Sequence, residues 1–269
     1  MSSLPYVPLD RRGWHLAMGL RPLDESKWFE VDARRDSELV LKKKLVNEER
    51  DVVVAIRETG AAPSAELLGL VVENLATYHP GVPLDIVEGE HPIVQASLLV
   101  QEDLCVLVHD EKWRLEAACV CFPSRWNLLS KLGATLDDIH APVPGYDQEL
   151  SRPTNAFFDR LKPERSFWRL NWTLLDDADL HQPSGRREGL ESDPDQWFFR
   201  IERQTVRKLP ETRAAVFSIR TYVASLEQMM NESADFVENL LLALDSAPVA
   251  TKAYKGWVGV AQQLRAALA

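Results

Sequence analysis

Cysteine is scarce in this chain, with three residues, Cys105, Cys119 and Cys121, in 269. The odd count and the lack of a CxxC pair exclude an even disulfide framework, and no spacing suits an iron–sulfur cluster. All three lie in apolar, strand-like runs and read as buried free thiols. Basic residues are also outnumbered: 31 Lys and Arg against 41 Asp and Glu leave a net charge of −10 and a pI near 5.2. That balance argues against nucleic acid as a partner, since an electrostatic footprint needs a clustered basic patch. No run reaches the roughly 18 apolar residues of a membrane span, so a non-membrane, cytoplasmic protein is expected. GxGxxG, P-loop, HExxH and GxSxG strings are all missing. Without them, a dinucleotide cradle, a zinc protease and an α/β-hydrolase nucleophile have no sequence basis.

What is present is ample apolar material: 45% of residues are hydrophobic, enough at this length for one sizeable core. The first 35 residues, including MGLRPLDESKWFEVD, read as an extended arm docked through Trp28 and Phe29. A surface helix is expected over 36–49, with Leu39, Leu41, Leu45 and Val46 as its apolar positions. A second is expected to be capped by Ser64 and to run to Tyr78, where His79 and Pro80 end it. Segments 103–109 and 114–122 form an expected hairpin, followed by a helix over 147–161 interrupted near Pro153 and a strand over 167–174. After a charged loop come two long strands, 197–209 and 213–223. Ser225 then opens a helix to about Leu244, and a last helix follows Pro248. Hairpin-ordered strands with helices before, between and after them indicate an α+β domain around an antiparallel sheet. Residues 1–95 read as an N-terminal arm and helices, 96–225 as the core, and 226–269 as C-terminal helices.

The stretch FPSRWNLLSKLGATLDDIHAPVPGY, 122–146, delivers one histidine to a stiff point. Ser124 is expected to cap a helix from Arg125, and Gly133 to end it at positive φ. Thr135 starts the short turn TLDDIH, with Asp137 and Asp138 near its N-terminus. His140 closes that turn, and Pro142 and Pro144 fix the exit. An imidazole aimed this way suits an axial metal ligand, although capping a helix C-terminus is ordinary work for histidine. Both readings stand at this level.

Strand alternation gathers polar side chains into stripes: Arg169 and Asn171 opposite Leu170 and Trp172, then Arg200, Glu202 and Gln204, then Ser218, Arg220 and Tyr222. The three stripes could line one pocket, and a solvated sheet face would give the same pattern. Arginines beside Trp, Phe and Asn suit a site that pairs with carboxylates.

Seven strings in order, MGLRPLD (18–24), VQEDL (100–104), FPSRW (122–126), IHAPVPGY (139–146), WRLNW (168–172), FFRIERQTVRKLP (198–210) and FSIRTY (217–222), resemble the haem-dependent oxidative N-demethylase family. The resemblance spans roughly residues 15–230 and does not obviously take in the last helix. It implies a PAS-like antiparallel sheet with flanking helices and helical extensions, binding haem b. It further implies removal of a methyl group from a small secondary amine such as dimethylamine, with O₂ as oxidant and formaldehyde released. Electrons would come from NADPH through a separate reductase carrying FMN and a [2Fe–2S] cluster. His140 falls on the histidine of the family's IHxPVP string and is expected to ligate the iron. Arg169, Asn171, Trp172 and Arg203 are expected toward the cofactor, and Glu202, Arg200 and Arg220 toward the chemistry, on side-chain type within matching strings. A haem-binding sensor without turnover, and a cofactor-free structural subunit, are the rival readings.

Overall fold

Alternating large apolar and polar side chains over 166–175, 198–208 and 215–225 produce the three longest strands, and every strand pairing is antiparallel. The computed structural model describes residues 5–184, 189, 190 and 193–269. Among these, β1 (Arg21–Leu23), β2 (Val54–Ile56), β3 (Asp103–Asp110), β4 (Lys112–Cys119), β5 (Ser166–Leu175), β6 (Phe198–Lys208) and β7 (Ala215–Ser225) form one sheet. Its order is β1-β5-β6-β7-β3-β4-β2. The fold is α+β, and seven strands replace the five or so read from the sequence, because the arm adds β1 against β5 and the segment after the first helix adds β2 against β4.

A bulge shapes the β3/β4 hairpin. Val106 pairs with Ala117 but Leu107 pairs with Leu115, leaving Glu116 as the extra residue. The shift turns Leu107 and Leu115 together toward the front of the sheet.

The rear face is covered at two places. Helices α1 (Arg35–Glu48), α2 (Arg50–Val53), α3 (Ala61–Tyr78) and α4 (Pro92–Ser97) flank one end, where Trp28 and Phe29 are buried with Leu67, Val71, Leu104 and Val106. On the front lie α5 (Leu136–His140) and α6 (Ser151–Arg160). After β7, α7 (Leu226–Glu232), α8 (Phe236–Ser246), α9 (Val249–Lys255) and α10 (Val260–Ala267) follow, and Trp172, Phe199, Tyr222, Phe236 and Trp257 share a second rear core with them. All three cysteines are buried free thiols. No helix among the described residues is long and apolar enough to cross a membrane.

Several local expectations are corrected. Ser64 does not cap α3; the helix grows directly from the short turn Glu58–Gly60, and the Ser64 hydroxyl donates back to the Gly60 carbonyl at 2.6 Å. Residues 147–161 are interrupted near Pro153, as expected, but at the Leu150/Ser151 junction, where a wide turn over Tyr146–Leu150 gives way to α6; Pro153 itself sits in the first turn of α6, where a proline ring costs little. The helix opened by Ser225 ends at Glu232 and restarts at Phe236, which turns the Phe236 ring into the core against Phe199. The last segment also splits, at Gly256 (φ 70°) and Gly259 (φ 78°), so that Trp257 between them packs flat on Trp172 at 4.6 Å.

Candidate active site

Most of the front face of the sheet is floor to a cavity of about 490 Å³, within the range of small-molecule and cofactor sites. Arg169, Asn171 and Thr173 of β5 rise into it beside Glu202, Gln204 and Val206 of β6. Cross-strand register explains the grouping: Arg169 lies opposite Gln204, and Asn171 opposite Glu202, so the four share one side of the ladder. Phe217 and Ile219 of β7 continue the floor, and Leu107 and Leu115 reach it through the bulge.

The wall facing Arg169 carries His140. Thr135 accepts from the Asp138 N–H while the Asp138 carboxylate accepts from the Thr135 N–H, a capping box that nucleates α5 from only five residues. His140 ends that helix, and its Nδ1 lies 2.7 Å from the Leu136 carbonyl one turn back. A carbonyl oxygen only accepts, so Nδ1 carries the proton and Nε2 carries the lone pair. The ring stacks on Tyr146 at 4.7 Å and 14°. Tyr146 is placed by Gly145, at φ 82°, where a Cβ would also press within 3.1 Å of Leu16. Burial lowers the imidazole pKa, the Leu136 hydrogen bond works against that, and the charge of Arg169 adds to the lowering. The ring is therefore held neutral, in the form that ligates metals, with its other nitrogen oriented by a backbone acceptor.

The helix expected from Arg125 does not form. Arg125 adopts φ 59°, and its backbone N–H bonds the Gln182 carbonyl at 2.7 Å instead of entering a helical turn. Its guanidinium bonds Asp176 at 2.7 Å, and the residue lines the cavity. Gly133 does take positive φ, 76°, in the turn before α5.

Glu202 is the acidic centre of the floor. Its Oε2 accepts from Asn171 Nδ2 at 3.2 Å and from Gln204 Nε2 at 3.0 Å, while Oε1 lies 3.7 Å from the Arg200 guanidinium. Arg200 is fully buried and does not line the cavity. It donates to the carbonyls of Phe122 at 2.5 Å and Leu180 at 3.2 Å, tying two loops to the same face of the strand beside Glu202. Arg169 stands differently. Burial lowers its pKa and the charge of Glu202 opposes the shift, yet its buried Nε has no hydrogen-bond partner among the described residues. Arg200 and Arg220 share an unbonded buried Nε, but of the three only Arg169 lines the cavity, where its guanidinium can meet an anionic group.

Besides Arg200, three more of the expected residues lie outside the cavity. Arg220 and Arg203 pair across β7 and β6 on the rear face, and Trp172 is on the rear side of β5. The β7 stripe of Ser218, Arg220 and Tyr222 therefore does not join the stripes of β5 and β6: Glu202 is opposite Thr221, which leaves Arg220 one residue out of phase. Arg220 instead bonds Glu38 at 2.7 Å and Asp32 at 3.0 Å, and Arg203 bonds the Trp28 carbonyl at 3.3 Å.

Sequence reasoning also passed over residues that do line the cavity. Trp14, Leu16, Met18 and Leu20 of the arm and Tyr254 and Lys255 of α9 close the far side, and nothing in their local pattern announces it. Lys255 donates to the Trp172 carbonyl at 2.7 Å and sits over Trp257 and Trp14 at 4.9 and 5.2 Å.

The donor set fits an anionic organic cofactor with one protein ligand to its metal: one neutral imidazole with Nε2 available, a largely apolar enclosure, and an arginine whose buried Nε has no acceptor among the described residues. Among the described residues no three His, Cys, Asp or Glu side chains converge on one point, so His140 would act as a lone protein ligand. His15, His79, His91, His109 and His181 do not line the cavity. A family model described as haem-dependent oxidative N-demethylase, alpha subunit-like, matches residues 82–265, which takes in the last helices and leaves out the arm.

Proposed function

Because the chain belongs to the haem-dependent oxidative N-demethylase, alpha subunit-like family, we propose that it holds haem b in the front cavity and oxidatively demethylates a small secondary amine there. The observation that carries this reading is the tautomer of His140, whose Nδ1 is committed to the Leu136 carbonyl, so that Nε2 would be the atom to ligate the iron. Residues 96–225 are then a PAS-like haem-binding core, closed by the arm on one side and the C-terminal helices on the other. When bound, the haem supplies O₂ activation, chemistry that side chains do not provide.

The chain's own residues bind, orient and exclude water. Arg169 would hold an anionic group of the haem, which would supply an acceptor for its buried Nε. Glu202 attracts the alkylammonium and takes its proton, since oxidation needs electron density on the amine. Arg200 braces Glu202 from the same face of β6 and acts as a positioning residue. Leu107, Leu115, Val206 and Phe217 keep the remaining surface apolar, which strengthens the charge pairing. Electrons come from NADPH through a reductase bearing FMN and a [2Fe–2S] cluster, and the setting is cytoplasmic.

The test is an absorption spectrum with pyridine haemochrome analysis, followed by O₂ uptake with a chemical reductant and dimethylamine. A b-type haem and amine-dependent O₂ uptake are expected. A haem-loaded protein that consumes O₂ independently of any methylamine would favour the sensor reading over the enzyme.

A further inference from the structure

Resting on the amine reading above, the detail of the Glu202 cluster names how one class of amine is selected. Asn171 Nδ2 and Gln204 Nε2 both point at Glu202 Oε2. A carboxylate only accepts, so each amide must present its NH₂ to Glu202 and turn its carbonyl oxygen away. Asn171 Oδ1 and Gln204 Oε1 have no hydrogen-bond partner among the described residues, and both side chains line the cavity. One carboxylate thus orients two neutral acceptors on neighbouring strands, two residue pairs apart in the ladder and so on the same face.

We infer that Asn171 Oδ1 and Gln204 Oε1 are the two seats for the two N–H groups of a secondary ammonium ion on binding, with Glu202 beside them supplying the countercharge and, once the ion is bound, taking the proton from one seat. Two acceptors match a dialkylammonium, which has two N–H donors. A trialkylammonium leaves one seat desolvated and empty, and a tetraalkylammonium leaves both. Sites built to accept a hydrogen bond reject analogues that lack the donor more strongly than apolar pockets reject an extra methyl group. Charge recognition by Glu202 alone would not discriminate in this way.

The experiment titrates haem-loaded protein calorimetrically with dimethyl-, trimethyl- and tetramethylammonium, and repeats the series on Asn171→Leu and Gln204→Met. Affinity is expected to fall roughly tenfold for each N–H removed. Each variant should weaken dimethylammonium about tenfold while leaving tetramethylammonium unchanged, so the discrimination collapses. Equal affinity of the unaltered protein for all three ions would overturn the inference, as would variants that weaken tetramethylammonium as much as dimethylammonium, which would make the amides supports of Glu202 only. In both cases charge recognition at Glu202 survives. Haem-loaded protein that binds none of the ions would instead overturn the amine reading itself, and this inference with it.

Discussion

Arg203 of β6 lies directly opposite Arg220 of β7, two cations paired across the ladder and both almost completely buried. Like charges in that position repel, and an acidic belt from the arm and α1 offsets them: Glu30 lies 3.5 Å from Arg203, with Asp32 and Glu38 on Arg220. This cluster ties the N-terminal segment to the rear of the sheet, away from the cavity.

Arg220→Met should therefore be a stability variant. Removing one partner leaves Glu38 buried without its cation, a loss of roughly 3–5 kcal/mol. Urea unfolding should show that fall, while folded variant still takes up haem and binds amine with unchanged affinity. Altered amine affinity would instead place Arg220 in the functional machinery.

Glu102, in the same belt, makes stability depend on pH. Burial pushes its carboxyl from 4.5 up to about 7, against the pull of Arg220. Between those values the folded protein keeps a proton that the unfolded chain has released, so this contribution is full below 4.5 and is lost as pH rises through 7. The difference corresponds to roughly 3 kcal/mol. Glu102→Gln should gain up to about that much at pH 8 and nothing near pH 4.5. Thermal melts of both proteins across the range would reveal a pH-independent offset if another cause dominates.

His140→Ala should abolish stable haem binding while leaving the fold intact, because α5 is held by the Thr135 and Asp138 cap rather than by the imidazole. Exogenous imidazole should partly restore the spectrum. Full haem occupancy with an unchanged Soret band in the variant would assign the axial ligand to another residue.

Glu202→Gln preserves shape and removes the charge. Amine-induced spectral shifts and turnover should both weaken, with haem content unchanged. Equal amine affinity and rate in the variant would remove Glu202 from substrate binding.

The isolated chain should not draw electrons from NADPH, since it has no dinucleotide fingerprint and its three cysteines are buried and free. Stopped-flow mixing of the haem-loaded chain with NADPH should show no rapid haem reduction until a reductase is added. Rapid reduction by the chain alone would contradict the need for a partner.

Local chemistry along the chain was sufficient to place His140. Thr135, Asp138, Pro142 and Pro144 act within a few residues, and the capped turn they specify is the turn observed. The same holds for the β3/β4 hairpin, for β5 to β7, and for the pairing of polar residues along each strand, because side-chain alternation is intrinsic to extended backbone. The family strings carried the cofactor and activity classes, which no periodicity could supply.

Only tertiary structure decided which stripe faces which. Alternation divides a strand into two faces, but the face shared with the next strand depends on register, and a slip of one residue exchanges them. That is why Glu202 and Arg220, similar in the sequence as buried strand charges, lie on opposite sides of the sheet. Arg125 likewise left the helix that its neighbours favour because a distant carbonyl, Gln182, captured its N–H. The arm residues Trp14 to Leu20 and Lys255 of α9 reach the cavity across more than 200 positions of chain, a closure set by packing against the sheet and not by any pattern local to either segment.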